Sequence, residues 1–415
     1  MSWFVMIKTM FNKSLWVAGA LSALAMNVNT ALGIDVTARE LRRSFKKWGD
    51  ITRQIRTIKS EDMKCVVEQI CPFCSDETDD IMSTFALVCL GLNEDKLATE
   101  DRIVLFRELN KNFATFIQNS ADNLWEPSNK SYKLNLFCCK QDGVVFAVTM
   151  LLEHTGLVDA INLSCSDIIG AKAEKLSEAL EDNKSITQLD LRYNNIGDSG
   201  ARSLSRALKF NNSLVHLDLS HNNIGDSGAA FLSGALKVNS SLTQLDLSGN
   251  SIGDSGAICL SGALKNNSSL TQLDLQNNHI DPSGASRLSD ALKVNSSLTQ
   301  LDLNSNHIGH SGASRLAEAL KVNGAITQLN LGNDYMGDLE DSGLYEALKV
   351  NSSLTQLDLS GNGIGASGTE SLSEVLKVNS SLTQLDLSGN GIGDSGKKIL
   401  ADALEENITI TKLHL

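Results

Sequence analysis

Proline and the common catalytic signatures are scarce in this chain of 415 residues. Its three prolines leave little room for a long flexible linker. Within residues 35–155, neither the GxSxG string of serine hydrolases nor the HExxH string of zinc proteases occurs, and His154 is the only histidine of the chain before His216. The phosphate-cradling P-loop string is also missing. The sequence therefore gives little support to hydrolase, metalloprotease or nucleotide-binding chemistry, and no cofactor or metal is expected.

Acidic residues outnumber basic ones, and the excess is unevenly placed. The formal net charge is −13. Residues 1–155 hold 18 Lys and Arg against 19 Asp and Glu, so the remaining residues carry a net charge of −12. Such a surface repels phosphate backbones, which argues against nucleic-acid binding and favours a basic protein partner or simple solubility.

The amino terminus resembles a secretory signal peptide. No acidic residue precedes Asp35, Lys8 and Lys13 precede an apolar stretch at 15–26, and Ala31-Leu32-Gly33 offers a cleavage site. An uncleaved membrane anchor and a segment with neither role are the alternatives. We therefore expect a secreted or membrane-anchored protein whose only membrane contact is through residues 1–33, with a cytoplasmic location as the alternative.

Residues 34–155 are predicted to form a small, mostly α-helical domain that caps the first repeat. Leu41, Phe45 and Trp48 begin an apolar series at helical spacing, with basic residues between them. This basic amphipathic helix fits either the first helix of a domain or a docking helix for a membrane or a partner. A capping role is expected because the end of a repeat array exposes its core.

Six of the eight cysteines lie in this predicted domain: Cys65, Cys71, Cys74, Cys89, Cys138 and Cys139. Cys71-Pro72-Phe73-Cys74 has the CxxC spacing of redox dithiols, but no strand-to-helix turn surrounds it, and a zinc site would need two more ligands. Structural disulfides or buried thiols are the favoured interpretation, and metal and redox roles remain alternatives. Spacing alone does not select a pairing.

A 28-residue repeat dominates the rest of the chain, from residue 156 to residue 415. The aligned strand positions are Ile161, Leu189, Leu217, Leu245, Leu273, Leu301, Leu329, Leu357, Leu385 and Leu413. In a typical unit, Leu242, Leu245 and Leu247 face a core, and the alternation around Leu245 marks a short strand with one exposed face. Ten parallel strands are therefore predicted.

Polar residues of the repeat are predicted to shape its turns. Asn250 should end the strand, and its copies should stack into a buried hydrogen-bonded ladder. Asp254-Ser255 is typical of a helix N-cap, and Asn267 stands where the helix must stop. Strands stack more closely than helices, so the array must curve with its strands inside. The expected fold is an α/β horseshoe, a right-handed βα superhelix with its parallel strands on the concave face.

The residues now resemble a known family. The LxxLxLxxN string, the Ile-Gly-Asp-Ser-Gly-Ala turn and the Ala-Leu-Lys-x-Asn helix end look like the ribonuclease-inhibitor-like leucine-rich repeats. That class supplies the arrays of NOD-like receptors, Ran GTPase-activating proteins and bacterial host-interaction proteins. The resemblance implies the fold strongly and the function weakly, because its members bind unrelated partners.

Departures from those relatives narrow the choice. The constant period and the presence of only Cys165 and Cys259 in the array argue against nuclease inhibition. NOD-like receptors need the missing P-loop, and the acidic tail of Ran GTPase-activating proteins is not seen. A non-enzymatic, exported or surface-associated module that binds a protein on its concave face is the favoured function. A cytoplasmic GTPase regulator and an enzyme activity in residues 35–155 are the alternatives.

Two sets of residues are candidates for contacting the partner. Asp190, Asp218, Asp246, Asp274 and Asp302 should stack in register. They could form a docking strip for Lys or Arg, but consensus filler copied with the repeat is the favoured explanation. Arg192, Tyr193, His216 and His221 break the consensus in two adjacent strands, and Arg and aromatic side chains often anchor interfaces. Drift near the cap is the alternative explanation.

Two further departures concern the end and the middle of the array. At 335–343 the turn is rewritten, and Asp334 replaces the ladder asparagine, which predicts a distorted helix start. The last strand, at 410–415, has no following cap, so the protein is expected to be a monomer or to self-associate weakly.

Overall fold

A computed structural model describes part of the chain. The described residues are Tyr132–Asn135 by their backbone, 148, 149, 152, 158–339 and 342–415. The predicted signal segment, the basic helix and the six amino-terminal cysteines all lie outside them. Among the described residues, no helix is both long and apolar enough to cross a bilayer.

The chain divides into two compact units, residues 1–166 and 167–415. In the first unit, β1 (Tyr132–Asn135) and β2 (Val158–Asn162) pair in parallel. β2 contains Ile161, the first predicted strand position. β1 is a strand that the sequence did not predict, within a segment expected to be mostly helical.

The second unit alternates strands with helices. Its described strands are β3 (Gln188–Asp190), β4 (His216–Asp218), β5 (Gln244–Asp246), β6 (Gln272–Asp274), β7 (Gln300–Asp302), β8 (Gln328–Asn330), β9 (Gln356–Asp358), β10 (Gln384–Asp386) and β11 (Lys412–His414). Its described helices are α1 (Gly170–Asp182), α2 (Gly197–Leu208), α3 (Asp226–Leu236), α4 (Asp254–Leu264), α5 (Pro282–Leu292), α6 (Gly309–Leu320), α7 (Leu344–Val350), α8 (Gly365–Val378) and α9 (Gly393–Glu406).

Each strand of the second unit pairs in parallel with the next. The register places Leu189 beside Leu217, Leu217 beside Leu245, and so on through Leu413. These steps match the 28-residue period, so the predicted leucine-rich-repeat horseshoe with parallel strands is confirmed.

The core lies between the strands and the helices. In one repeat, Leu242, Leu247, Ile252 and Leu260 are fully buried, and Leu245 is nearly so. Burying one such side chain contributes roughly 1.5–3 kcal/mol before the entropy of ordering the chain is subtracted. Each helix packs against the helix of the neighbouring repeat. A single 28-residue repeat therefore leaves part of its apolar surface exposed, and stacking of repeats buries it.

The predicted asparagine ladder is present. The Asn250 amide nitrogen donates to the carbonyl oxygens of Leu219, at 3.0 Å, and Leu247, at 2.9 Å. Its Oδ1 accepts the backbone N–H groups of Asn222 and Ile224 at 3.0 and 2.9 Å. The equivalent buried residues are Asn194, Asn222, Asn278, Asn306, Asn362 and Asn390. Each side chain therefore satisfies backbone groups of two successive repeats.

A second asparagine ladder runs along the helix ends. Asn267 donates through Nδ2 to the carbonyl oxygens of Leu236, at 2.7 Å, and Asn239, at 3.1 Å. Its Oδ1 accepts the N–H groups of Ser269 and Leu270. Its buried equivalents are Asn183, Asn211, Asn239, Asn295, Asn323, Asn351 and Asn379. Several of these stand in Asn-Ser-Ser glycosylation sequons, and their amide nitrogens are occupied in the interior, which favours a structural role.

The prediction that Asp254 caps its own helix is wrong. Gly253 occupies the N-cap position, and no side chain bonds there. Asp254 Oδ1 instead accepts the N–H groups of Asp281 and Gly284, at 3.0 and 2.8 Å, both in the next repeat. Asp198 and Asp226 make the same bonds to their own following repeats. The carboxylate joins two repeats because the neighbouring turn presents a pair of unbonded N–H groups beside it.

The rewritten turn alters its helix as expected. α7 begins only at Leu344 and has 7 residues, whereas α6 before it has 12. Gly343 precedes it with φ of +74°, a left-handed conformation that glycine adopts readily. Residues 340 and 341 lie outside the described part of the turn.

Candidate functional site

The open face of the sheet carries two polar rows, one of the mostly glutamine residues before each central leucine and one of the mostly aspartate residues after it. In each strand the central leucine enters the core, so the residues on either side of it project from the opposite, concave face. The register aligns Asp190, Asp218, Asp246, Asp274 and Asp302 in one row, which continues through Asn330, Asp358 and Asp386. We call these residues the acidic strip. Neighbouring strands lie about 4.8 Å apart, so the carboxylates of the strip are close neighbours.

Each aspartate of the strip also has a local structural role. Asp246 Oδ1 accepts the N–H of Ser248 at 2.8 Å and its hydroxyl at 2.7 Å. Asp274 accepts the N–H of Gln276 at 2.8 Å, and the other aspartates bond in the same way to the residue two positions on. This Asx-type bond turns the chain at the strand end. The copying of aspartate with the repeat therefore has a structural cause besides any role in binding.

Burial makes the centre of the strip reluctant to ionise. Desolvation raises the pKa of Asp274 to about 7, with smaller raising effects from Asp302 and Asp246. Desolvation likewise raises the pKa values of Asp246 and Asp302, against the hydrogen bonds that each accepts. A cation placed beside these carboxyls would favour their ionised form, and the partial exclusion of water would strengthen the attraction.

Arg192 occupies one end of the strip. Its Nη2 lies 2.8 Å from Asp190 Oδ2, and its Nε lies 3.9 Å from Asp218 Oδ2. The guanidinium is about half exposed, so the ion pair contributes at most about 1 kcal/mol to stability. Its position is more informative than its energy, because one cation reaches the carboxylates of two adjacent strands.

Tyr193 and His221 form a stacked pair beside Arg192. Their ring centroids are 4.3 Å apart, and the planes differ by 5°. Tyr193 remains 55% exposed. A Cβ placed on Gly249 would collide with the His221 ring, so glycine is required there for the ring to lie in this position. His216 lies within β4, in register with Gln188 and Gln244. The structure therefore brings Arg192, Tyr193 and His221 together next to the strip and places His216 on the same sheet.

The sequence did not predict a second row of rings on this part of the array. The rings of His279 and His307 stack with centroids 6.5 Å apart, and those of His307 and Tyr335 at 5.8 Å. Tyr335 is 75% exposed. The 28-residue step between these three residues is the sequence signal for this row, and Tyr335 also lies in the irregular turn.

Asp334 is a buried acid within the first asparagine ladder. Its Oδ1 accepts the N–H of Asn306 at 2.8 Å, and its Oδ2 is buried without a hydrogen-bond partner. Desolvation raises its pKa to about 8. The carboxyl therefore keeps its proton at neutral pH. Within the described residues, no group of three or more His, Cys, Asp or Glu side chains is placed to hold a metal ion.

Comparison with known proteins identifies the repeats. A leucine-rich-repeat family model matches residues 182–205, 210–233, 238–261, 266–289, 294–317, 350–373 and 378–398. The chain belongs to the leucine-rich-repeat family. Arrays of this kind present extended concave surfaces to other proteins, so this leucine-rich-repeat protein contains a protein-interaction module.

Two solved structures are similar to parts of this leucine-rich-repeat protein. An internalin, inlF, from Listeria monocytogenes is 18% identical, with a TM-score of 0.39, over 84% of this chain and 97% of that one. The actin-binding site 2 of leiomodin-1 is 22% identical, with a TM-score of 0.29, over 32% of this chain and 76% of that one. No curated protein sequence matches the chain significantly.

Proposed function

We propose that this leucine-rich-repeat protein is an exported or surface-associated binding protein, of the ribonuclease-inhibitor-like class, whose acidic strip binds a basic segment of a partner protein. The contact between Arg192 and two strands of the strip carries this proposal. Its guanidinium lies between Asp190 and Asp218, which is the position that an arginine of the partner would take between Asp246, Asp274 and Asp302. Catalysis is not part of the proposed role.

The half-buried carboxylates make this binding dependent on pH. A partner cation favours the ionised form of Asp274, whose pKa is raised to about 7 by burial. The neighbouring carboxylates of Asp218, Asp246 and Asp302 oppose that ionisation until the cation arrives. Binding therefore releases protons, and affinity should rise as the pH increases through about 7.

The Tyr193–His221 stack would supply an anchor beside the strip. Exposed aromatic and arginine side chains contribute most of the energy in many interfaces. Arg192, Tyr193, His216 and His221 are therefore proposed to contact the partner together. If Tyr193→Ala and Arg192→Ala both leave the affinity for the natural partner unchanged, this part of the proposal fails.

Titration of a fluorescent arginine-rich peptide tests the strip directly. The triple variant Asp246→Asn, Asp274→Asn, Asp302→Asn should bind the peptide roughly tenfold or more weakly, because three attractions are lost. The matched control is Glu318→Gln, Glu346→Gln, Glu374→Gln, which changes the net charge equally on exposed helix positions. Equal weakening in both variants would show that only the overall charge matters and would contradict the proposal.

Export is tested by amino-terminal sequencing and intact mass of the natively expressed protein, with and without reductant. A mature start near Ile34 with paired cysteines would support export. An intact Met1 with free thiols would instead favour a protein retained inside the cell.

A further inference from the structure

Seven lysines line the outer ends of successive helices. Each stands at the end of its helix, one repeat from the next: Lys209, Lys237, Lys265, Lys293, Lys321, Lys349 and Lys377. Positive charge at a helix carboxyl end is favourable in every one of these repeats. The helix dipole therefore explains why every repeat has a lysine at its helix end. It does not explain why the lysines differ in their ion pairs.

The later lysines are neutralised by their own helices. Lys321, Lys349 and Lys377 lie 2.9, 2.7 and 2.7 Å from the glutamates three residues before them. Lys293 approaches Asp290 at 4.0 Å. In the second half of the array, the row is thus a series of local ion pairs.

The first three lysines have no such partner. The positions three residues before Lys209, Lys237 and Lys265 hold Arg206, Gly234 and Gly262. No ion pair to any of the three lysines forms within the part of the chain that the structure describes. The outer face of α2, α3 and α4 consequently carries unpaired positive charge on a protein of net charge −13.

Apolar side chains are exposed among these cations. Phe231 on α3 is 39% exposed and Ile258 on α4 is 46% exposed. Phe210 and Val238, just after α2 and α3, are exposed to 63% and 64%. Arg202 lies over the Phe231 ring, with its guanidinium carbon 5.4 Å from the centroid. Rings and cations side by side are typical of interface anchors rather than of solvated helix faces.

Two glycines leave the middle of this helix surface without projecting side chains. A Cβ added to Gly234 or Gly262 would meet nothing within 4 Å. Neither residue has the positive φ that would require glycine. A glycine inside a helix costs about 1 kcal/mol relative to alanine, and no packing in the described array explains it here. The glycines do allow another chain to approach α3 and α4 closely.

We propose that this surface, the basic helical patch of Arg206, Lys209, Phe231, Lys237, Ile258 and Lys265, binds an acidic peptide segment with apolar side chains from a partner protein. The positive charge attracts the acidic residues, and Phe231 and Ile258 receive the apolar ones. A peptide fits better than an anionic bilayer, because an extended negative plane on the helix side would also meet the exposed carboxylates of Glu318, Glu346 and Glu374 on the later helices. A bound peptide feels mainly the charges within about 8 Å of it at physiological salt.

The test copies the later repeats onto the earlier ones. Gly234→Glu with Gly262→Glu places a glutamate three residues before Lys237 and Lys265, the spacing of the pairs at Lys321 and Lys349. Glutamate is a better helix former than glycine, so the fold should be kept, as thermal unfolding will verify. The control, Ser311→Glu with Ser395→Glu, adds the same charge at exposed positions in the first turns of α6 and α9.

The probe is a fluorescein-labelled peptide in which glutamates alternate with leucine and phenylalanine, measured by anisotropy on the full-length protein. We expect saturable binding to the wild type, roughly tenfold weaker binding to the glycine-to-glutamate variant and little change in the control. Absence of binding to the wild type, or equal weakening in both variants, would overturn the proposal. Phosphatidylserine vesicles that bind the patch when the peptide does not would also overturn it and would show a membrane surface.

Discussion

Asn306 and Asp334 occupy the same ladder position in successive repeats, yet only the first is fully bonded. The Asn306 amide nitrogen donates to the carbonyl oxygens of Leu275 and Leu303, at 2.9 and 2.8 Å. By the same spacing, Asp334 Oδ2 should face the carbonyl oxygens of Leu303 and Leu331, but it has no hydrogen-bond partner. The two side chains have nearly the same shape. The difference shows that the ladder requires a donor as well as a fit.

A proton on Asp334 offsets part of that defect. Burial raises the pKa of the carboxyl to about 8, with a smaller contribution from Asp302. In the neutral form the carboxyl can donate to one carbonyl oxygen, as an amide does. Because the folded pKa lies above the unfolded value, the stability that protonated Asp334 contributes to the fold is fully present below about pH 4. That contribution is lost progressively as the pH rises through about 8.

The largest effect is expected from moving the defect into a regular repeat. The Asn278 amide nitrogen donates to three carbonyl oxygens at 3.0 to 3.2 Å. Asn278→Asp should lower the free energy of unfolding by roughly 3 kcal/mol in alkaline buffer, and by less near pH 5, where the acid keeps its proton. Urea unfolding across pH measures this. Asn277→Asp, at the exposed neighbouring position, is the control and should change little; equal losses in the two variants would refute the ladder explanation.

Repairing the natural defect should have the opposite sign. Asp334→Asn supplies the missing donor, so we expect about 2 kcal/mol of added stability at neutral pH. The fall in stability between pH 5 and pH 9 should also become smaller than in the wild type. Asp402→Asn, on the exposed face of α9, provides the comparison for a simple loss of charge. A repaired protein that unfolds more easily than the wild type would mean that Asp334 is favoured for a reason other than hydrogen bonding.

The smallest effect concerns the turn that follows Asp334. Gly343 has φ of +74°, and an added Cβ would meet only Lys321 Nζ, at 3.9 Å. Gly343→Ala should therefore cost about 1 kcal/mol through backbone strain alone. Gly324→Ala is the matched control, because that site has equal space and no positive φ. Thermal unfolding should separate the two variants, and identical melting temperatures would argue against strain at Gly343.

The sequence predicted the features that lie within a single 28-residue repeat. The leucine spacing located the strands, and Asn250 with its copies indicated the first ladder, because core faces and turns follow from local periodicity. Contacts between neighbouring repeats were harder to predict from the sequence. Asp254 could have bonded to its own helix or to the next repeat, and only the position of the neighbouring turn decides between them.

The candidate site was predicted to a similar extent. Register alone aligned the aspartates and placed Arg192 and Tyr193 near them. The stacking of His279, His307 and Tyr335 depends on side-chain directions in the turns, which a spacing of 28 residues does not specify. The raised pKa values depend on burial, which differs between copies of the same residue type.

The bonds between repeats also constrain how the gene can change. The ladder and carboxylate bonds from one repeat to the next connect residues 26 to 31 positions apart, close to one full unit. A duplication that adds a whole unit re-forms every one of these bonds with the new neighbour. An insertion of any other length inside a strand or turn moves hydrogen-bond donors away from their acceptors in both the preceding and the following repeat. Array length can therefore vary freely in steps of 28 residues, while the interior of each unit tolerates almost no change in length.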